Sequence, residues 1–594
     1  MKRLLVVPFI LITIPLFAAP IGEQRARNIA SSFFASSATR SSAAALELEW
    51  AGSNMEETEA NSAISRTSGV GQSQKEDEAL LYIYNRADAK GFVVVAGDDR
   101  VKRPIIAFSH NNHFDIENMP DAAKAILQAW CKQVDAARNT KTQSVATRAD
   151  ATVGNVVRTY ETATWSQGAP FNIESPIVNG EKSVTGCVAT AMSIILYYYR
   201  YPSQGVGTIP KYTYKEGGIT QTVPENVLGR TYEYDKMLPS YTSSYTDEQG
   251  AAVAALMYDA GTSVNMEFGP SASSSNSRKA SIAMAKYFGY TKSGLHIPHV
   301  SYSEEEWTAM LQQNLDQFGP TLYGGAGDSG GHIFVLDGYT DAGYFRINYG
   351  WAGKSNGYYL LPNISFYINQ SASFGMKPDP EGTSQYVAHI GTSSHTSSKG
   401  TLYRGLYTDA SSYEVGTGFK MYVGIYNMGL DSFTGKVIVA HCDKDDNIKT
   451  ILYTKSISNL KATGNTGYTP TGTLVEPVEP GDCLRMFYRV SDNDEWSVAR
   501  STVEAAYDKV LLSASPQQVE ESLSIAFDKE NKTFTFTSKH AIQCTIMNES
   551  GSVVKSASAA SFTTGTIDLS DIAKGKYTFS FASGGEPYKI NVKL

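Results

Sequence analysis

Residues 185–202 read "TGCVATAMSIILYYYRYP". The run from Cys187 to Tyr201 contains no Gly or Pro and is apolar or aromatic on nearly every side. It ends at Pro202, which forces the preceding residue out of helical geometry. The pattern predicts one buried helix, about 20 Å long at about 1.5 Å per residue, with Gly186 bringing the chain in tightly and Cys187 in the first turn. Unpaired N–H groups and the positive end of the macrodipole favour a thiolate there, drawing a thiol of ordinary pKa near about 8.5 toward or below neutrality. A free cysteine is also at home as a small buried hydrophobe. A partner base decides between the two readings.

The surrounding chain bounds the chemistry. At 594 residues, 42% of them hydrophobic, it exceeds one core and predicts several folded units. A formal charge of -8 argues against nucleic acid as a partner, since phosphate contacts need a basic face. Met1-Lys2-Arg3, apolar Leu4 to Phe17, then Ala18-Ala19 form the three parts of a secretory signal peptide, cut after Ala18. No other apolar run is long enough to span a bilayer. The expected location is therefore outside the cytoplasm: secreted, periplasmic or at the cell surface. Cys131, Cys187, Cys442, Cys483 and Cys544 are scattered and odd in number, with neither a disulfide framework nor a zinc-type CxxC spacing, and no metal or organic cofactor is expected. Cys442 and Cys483 are open to pairing, which the sequence does not decide.

Upstream of the cysteine lie a helical pattern from Glu23 to Ala35, two β-rich runs (Leu80 to Tyr84 and Phe92 to Ala96) and a helix from about Asp121 to Ala136. An unpatterned polar linker follows, with Lys141 and Arg148 as cleavage candidates. Downstream, Thr246 with Gln249 and Ser303 with Glu306 have capping-box spacing at the starts of helices Asp247 to Ala260 and Glu304 to Gln317, and another helix runs from Ser277 to Phe288. Strands then dominate from Thr321 to Leu361. Helices first and strands afterwards predict an α+β domain with a helical half and a sheet half. From about residue 395 the pattern is all β, as two small sandwiches.

Among the histidines His296, His299, His332 and His389, only His332 has a distinctive setting, "GAGDSGGHIFVLDGY", at the mouth of a buried strand behind glycines that admit a substrate backbone. Gln167, in "TWSQGAPFN", offers a side-chain N–H to a developing oxyanion. Asn348, in "RINYGWAGKSNGYYLL", lies one hairpin beyond His332, where its amide would orient the imidazole, and Trp351 would shield that contact from water. Each alone reads equally as core or turn; together they supply oxyanion donor, nucleophile, base and orienter in the order Gln, Cys, His, Asn.

That order, with "TGCVATAM", "GGHIFVLDGY" and "NYGWAGKSNGYYLL", resembles the streptopain family of papain-like cysteine peptidases from about Trp165 to Ile390. Upstream, "YIYNRADAKGFVVVAGDDR" and "FSHNNHFD" resemble that family's inhibitory propeptide. The resemblance implies a papain-like catalytic domain, Cys187 as nucleophile, His332 as base, Gln167 in the oxyanion hole, and the Gly331 and Ser271 regions as cleft walls. It also implies a hydrophobic or aromatic substrate residue next to the scissile one, with Met266 and Phe268 nearby. It departs at Tyr349, where the family commonly has Trp, and in the residue supporting the histidine, which leaves the role of Asn348 open. The expected organisation is signal peptide 1–18, inhibitory α+β propeptide 19–148, papain-like peptidase 149–394, and β-sandwich modules 395–512 and 513–594. The expected function is an exported cysteine endopeptidase made as a zymogen, acting on proteins or peptides, with its own propeptide as inhibitor. The rivals are a thiol amidase or acyltransferase, against which a propeptide argues, and an inactive papain-like adhesin acting through its sandwiches, against which an intact Cys187 and His332 argue.

Overall fold

The structure, a computed structural model, describes residues 20–37, 45–53, 79–139, 152–396 and 402–594, apart from positions 89, 102, 118, 120, 243, 328–329, 365, 404, 411–412, 480, 503–507, 514–515, 529 and 584–585. The leader expected over 1–18 and the cleavage candidates Lys141 and Arg148 lie outside them. The chain divides into two compact units, Met1–Ala283 with Leu311–Gln370, and Met284–Met310 with Ser371–Leu594.

The first unit begins with α1 (Glu23–Ser37) and four antiparallel strands, β1 (Leu46–Gly52), β2 (Leu81–Arg86), β3 (Phe92–Ala96) and β4 (Ile105–Ser109), then α2 (Asp121–Asn139). β2, β3 and β4 are buried almost throughout; β2 and β3 carry the two expected β-rich runs, and β4 was not expected from the sequence. β1, "LELEWAG", was not expected from the sequence: its alternation is short, and a register shift between Leu48 and Trp50 breaks its pairing with β2. α1 covers one face through Ala26, Ala30 and Phe33, packed with Tyr82, Tyr84, Val93 and Val95.

This N-terminal sheet runs on into the one that carries the histidine. After β5 (Val156–Thr159) come β6 (Thr321–Gly327), β7 (Gly330–Thr340), β8 (Phe345–Asn348) and β9 (Gly357–Tyr359), and the order across the unit is β1-β2-β3-β4-β9-β8-β7-β6, with β5 on β7. The join is β4 to β9, Phe108 opposite Tyr358 and Ala107 opposite Tyr359, with the rings of Phe108 and Tyr358 stacked at 5.0 Å.

The helical half is built on α3 (Cys187–Tyr199), buried from Val188 to Leu196. It stops where Arg200 takes a left-handed conformation (φ 49°), as the coming Pro202 requires of a chain that cannot stay helical. α4 (Asp247–Ser263) opens with the expected capping box: Gln249 N–H donates to Thr246 Oγ1, and Thr246 N–H donates to Gln249 Oε1. Gly261 on α4 lies against Phe268 and Ala189, so small residues set how closely α3 and α4 approach.

In the second unit, one sandwich packs Ile390, Met421, Val423 and Ile425 of one sheet against Val437, Val439, Leu484 and Met486 of the other. The first sheet is centred on β10 (Gly418–Asn427), which pairs with Ile390–Thr392 and Leu406–Thr408. The second is ordered β12 (Ile448–Leu460), β11 (Phe433–Cys442), β13 (Cys483–Arg489). A further sandwich of three and four strands follows from Ser524 to Lys593, around Phe534, Phe536, Ile546, Phe579 and Phe581.

Candidate active site

Cys187 is the first residue of α3, and Gly186 is its N-cap with φ 86°. A side chain at Gly186 would be strained and would place a Cβ 2.7 Å from Met266 Sδ, so glycine alone lets the chain turn into the helix here. Thr190 Oγ1 donates to Gly186 O at 3.0 Å, and Thr185 N–H donates to Gln167 O at 3.0 Å. Cys187 as a whole is partly exposed. Backbone N–H groups of Ile333, Val188 and Cys187 itself favour its charged form, but loss of water is the larger effect and pushes its pKa up. The expectation of a thiol drawn toward neutrality by the helix terminus is therefore reversed in this state. Three N–H groups and a dipole do not offset desolvation when, among the described residues, no cation faces the sulfur.

α3 packs against β7, whose Ile333, one residue from His332, supplies one of these N–H groups. His332 is 6% exposed, and burial holds its pKa down at about 4, so it is neutral. Its Nε2 lies 2.9 Å from Tyr349 O. A carbonyl only accepts, so Nε2 carries the proton and Nδ1 carries the lone pair. The ring stacks on Trp351 at 4.8 Å and packs on Phe366 at 5.2 Å, and Trp351 stacks in turn on Tyr349 at 4.7 Å. Among the described residues no hydrogen bond joins the sulfur to the imidazole.

The orienting role expected of Asn348 falls to the Tyr349 carbonyl. Asn348 Nδ2 is used up on Thr162 Oγ1 and Ala163 O, both at 2.9 Å, and its Oδ1 accepts from Gly350 N–H at 3.2 Å. The amide therefore fixes the backbone that presents Tyr349 O. No sequence signal marks a main-chain acceptor, which is why it was missed. Thr162 Oγ1 in turn donates to Asp337 Oδ2 at 2.5 Å.

Gln167 is half-buried, on a segment tied by its own carbonyl to Thr185 and, through Trp165 O, to Ala352 N–H at 2.9 Å. Its side-chain amide makes no hydrogen bond among the described residues, and a ligand oxygen can take it. Gly331 and Ser271 are exposed. Met266 and Phe268, expected near the substrate, are 0% and 1% exposed. They belong to the core, Met266 against Gly186 and Phe268 against Gly261 of α4.

Residues 165–359 match the Peptidase C10 family and residues 18–134 match the Spi protease inhibitor family. Streptopain of Streptococcus pyogenes is 30% identical over 325 residues, 50% of this chain and 81% of streptopain. The chain belongs to the peptidase C10 family. It is a cysteine peptidase with an inhibitor-like N-terminal region. The thiol protease/hemagglutinin PrtT of Porphyromonas gingivalis is 30% identical over 386 residues, 62% of this chain but only 41% of that protein's length. A prointerpain A fragment from Prevotella intermedia is 26% identical, covering 50% of this chain and 96% of the fragment, with a TM-score of 0.41.

Proposed function

We propose that this C10 peptidase is an exported endopeptidase made as a zymogen, which cleaves protein substrates with Cys187 as nucleophile and His332 as base. The observation that carries the assignment is a His332 ring whose Nε2–H is committed to Tyr349 O, on a strand, β7, that packs against the Cys187 helix. That arrangement leaves Nδ1 as the base. In the reaction, Nδ1 takes the thiol proton, the thiolate attacks the scissile carbonyl, and the imidazolium returns the proton to the leaving amine. Water, activated by the same nitrogen, then releases the acyl group. The Cys187 N–H and the Gln167 amide donate to the oxyanion.

Latency is supported by three features. β4 of the inhibitor-like region pairs with β9 of the peptidase. Asn112 Nδ2 donates to Gly353 O and Asn356 O at 2.6 and 3.0 Å, in the loop that follows Tyr349. The thiol and the imidazole are both neutral in this full-length state. Removal of residues 19–148 by cleavage in the linker would expose a competent site. Export rests on the N-terminal leader pattern; among the described residues no helix is long and apolar enough to cross a membrane.

The test is the Cys187→Ala variant, which removes the nucleophile and little volume. The folded variant should hydrolyse no casein and should keep its N-terminal segment, whereas wild type sheds the segment and gains activity. Casein hydrolysis by the folded variant at wild-type rate refutes the assignment.

A further inference from the structure

Outside the peptidase site, four cysteines remain, and two of them face each other. In the register of β11 and β13, Cys442 stands directly opposite Cys483. Directly opposed residues on antiparallel strands have Cα atoms roughly 4.5–5.5 Å apart, inside the roughly 4.4–6.8 Å that a disulfide spans. Both side chains are fully buried on one face of the sheet, in a small apolar cluster with Ile438, Ala440 and Phe487. The Cys483 thiol is the largest influence raising the pKa of the Cys442 thiol beside it. Cys131 lies on α2 of the first unit and Cys544 in the sheet of the last sandwich, so neither competes for the pair.

We propose that Cys442 and Cys483 are joined as a cross-strand disulfide in the exported protein, stapling the two central strands of this sheet. The oxidant is a small-molecule or protein disulfide. One thiolate attacks a sulfur of that disulfide and expels a thiolate, and the second cysteine displaces the other half. The net change is two protein thiols and one external disulfide giving one protein disulfide and two external thiols. The step belongs to folding, before the strands close, because the native thiols are buried and the neighbouring Cys483 thiol, burial and the Asp446 carboxylate all disfavour a thiolate at Cys442. Burial has a second consequence. A reductant in solution would reach the partly exposed Cys187 before this buried pair, so one chain would hold a free thiol and a lasting disulfide together.

The oxidative setting rests on the export reading, but the test supplies the oxidant in the tube and so stands apart from it. Full-length Cys187→Ala protein, which does not digest itself, is folded in a reduced/oxidised glutathione buffer, denatured and alkylated with iodoacetamide. Mass spectrometry should find two labelled cysteines, Cys131 and Cys544, before reduction and all four after it, with the peptides containing Cys442 and Cys483 linked in the unreduced digest. A disulfide closing a loop of about 40 residues should also raise the unfolding midpoint of this sandwich by roughly 10 °C over the Cys442→Ala/Cys483→Ala double variant. Four labelled cysteines before reduction, or a linkage to Cys131 or Cys544, overturns the proposal.

Discussion

Asp337 lies on β7, five positions past the histidine, and Asp337→Asn should stabilise the protein at neutral pH. The carboxyl is 1% exposed. Thr162 Oγ1 donates to Oδ2, and Arg346 Nη1 lies 3.6 Å from Oδ2, while Oδ1 has no hydrogen-bond partner among the described residues. Burial outweighs the arginine and raises the pKa from 3.8 to about 6. Above the folded-state value the ionised group thus costs about 3 kcal/mol of stability. The sign follows: the folded state binds this proton more tightly, so stability rises as pH falls through about 6 toward 3.8. Asparagine removes the charge and still accepts from Thr162. The variant should gain about 3 kcal/mol at pH 7.5, roughly 6 °C in melting midpoint, and only about 1 kcal/mol at pH 4.5, where wild type is mostly protonated in the fold. His332 acts in the opposite sense. With its pKa depressed from 6.5 to about 4, its contribution is complete above 6.5 and is lost as pH falls toward 4, so the variant should show a steeper acid loss than wild type. Calorimetry of Cys187→Ala and Cys187→Ala/Asp337→Asn across pH 4.5–7.5 measures this. A variant less stable at pH 7.5, or a difference that does not shrink on acidification, refutes the reasoning.

His332→Ala should abolish peptide hydrolysis as completely as Cys187→Ala, since a nucleophile and its base fail as a unit; steady-state assays on a fluorogenic peptide measure both. Gln167→Ala should lower kcat roughly a hundredfold with KM little changed, and an unchanged kcat would move the oxyanion donors elsewhere. Asn112→Ala removes two hydrogen bonds from the inhibitor-like region to the peptidase. The precursor should then activate faster in a time course of mass and activity, and an unaltered lag would show that these bonds do not hold it latent.

What the sequence disclosed and what it withheld follow a physical line. α3, α4, the capping boxes at Thr246 and Ser303, and β3 were legible because side-chain type and short-range spacing determine them. The join of β4 to β9 was not, because it brings together residues far apart in sequence, and neither strand carries a mark of its neighbour. Cys187 and His332 stand out as reactive side chains in glycine-flanked settings. The acceptor on His332 is a main-chain oxygen of Tyr349, and a carbonyl looks the same at every residue. Met266 and Phe268 were legible as apolar but not as fully buried, since burial depends on what Gly186 and α4 bring over them.

One loop connects these observations. Asn356 Oδ1 accepts from Tyr349 N–H at 3.1 Å, Tyr349 O holds the His332 ring, and Trp351 covers that ring. Ala352 N–H is anchored on Trp165 O, two residues before Gln167, and Gly350 packs against Thr190 in the first turns of α3. The inhibitor-like region grips the same loop through Asn112 on the carbonyls of Gly353 and Asn356. The His332 ring, the segment that bears Gln167 and the first turns of α3 thus meet at one loop that the inhibitor-like region also holds. On the proposed activation, loss of the N-terminal region would leave the Asn348 amide still fixing the start of this loop, and the Nε2–H tautomer of His332 is expected to persist in the mature enzyme.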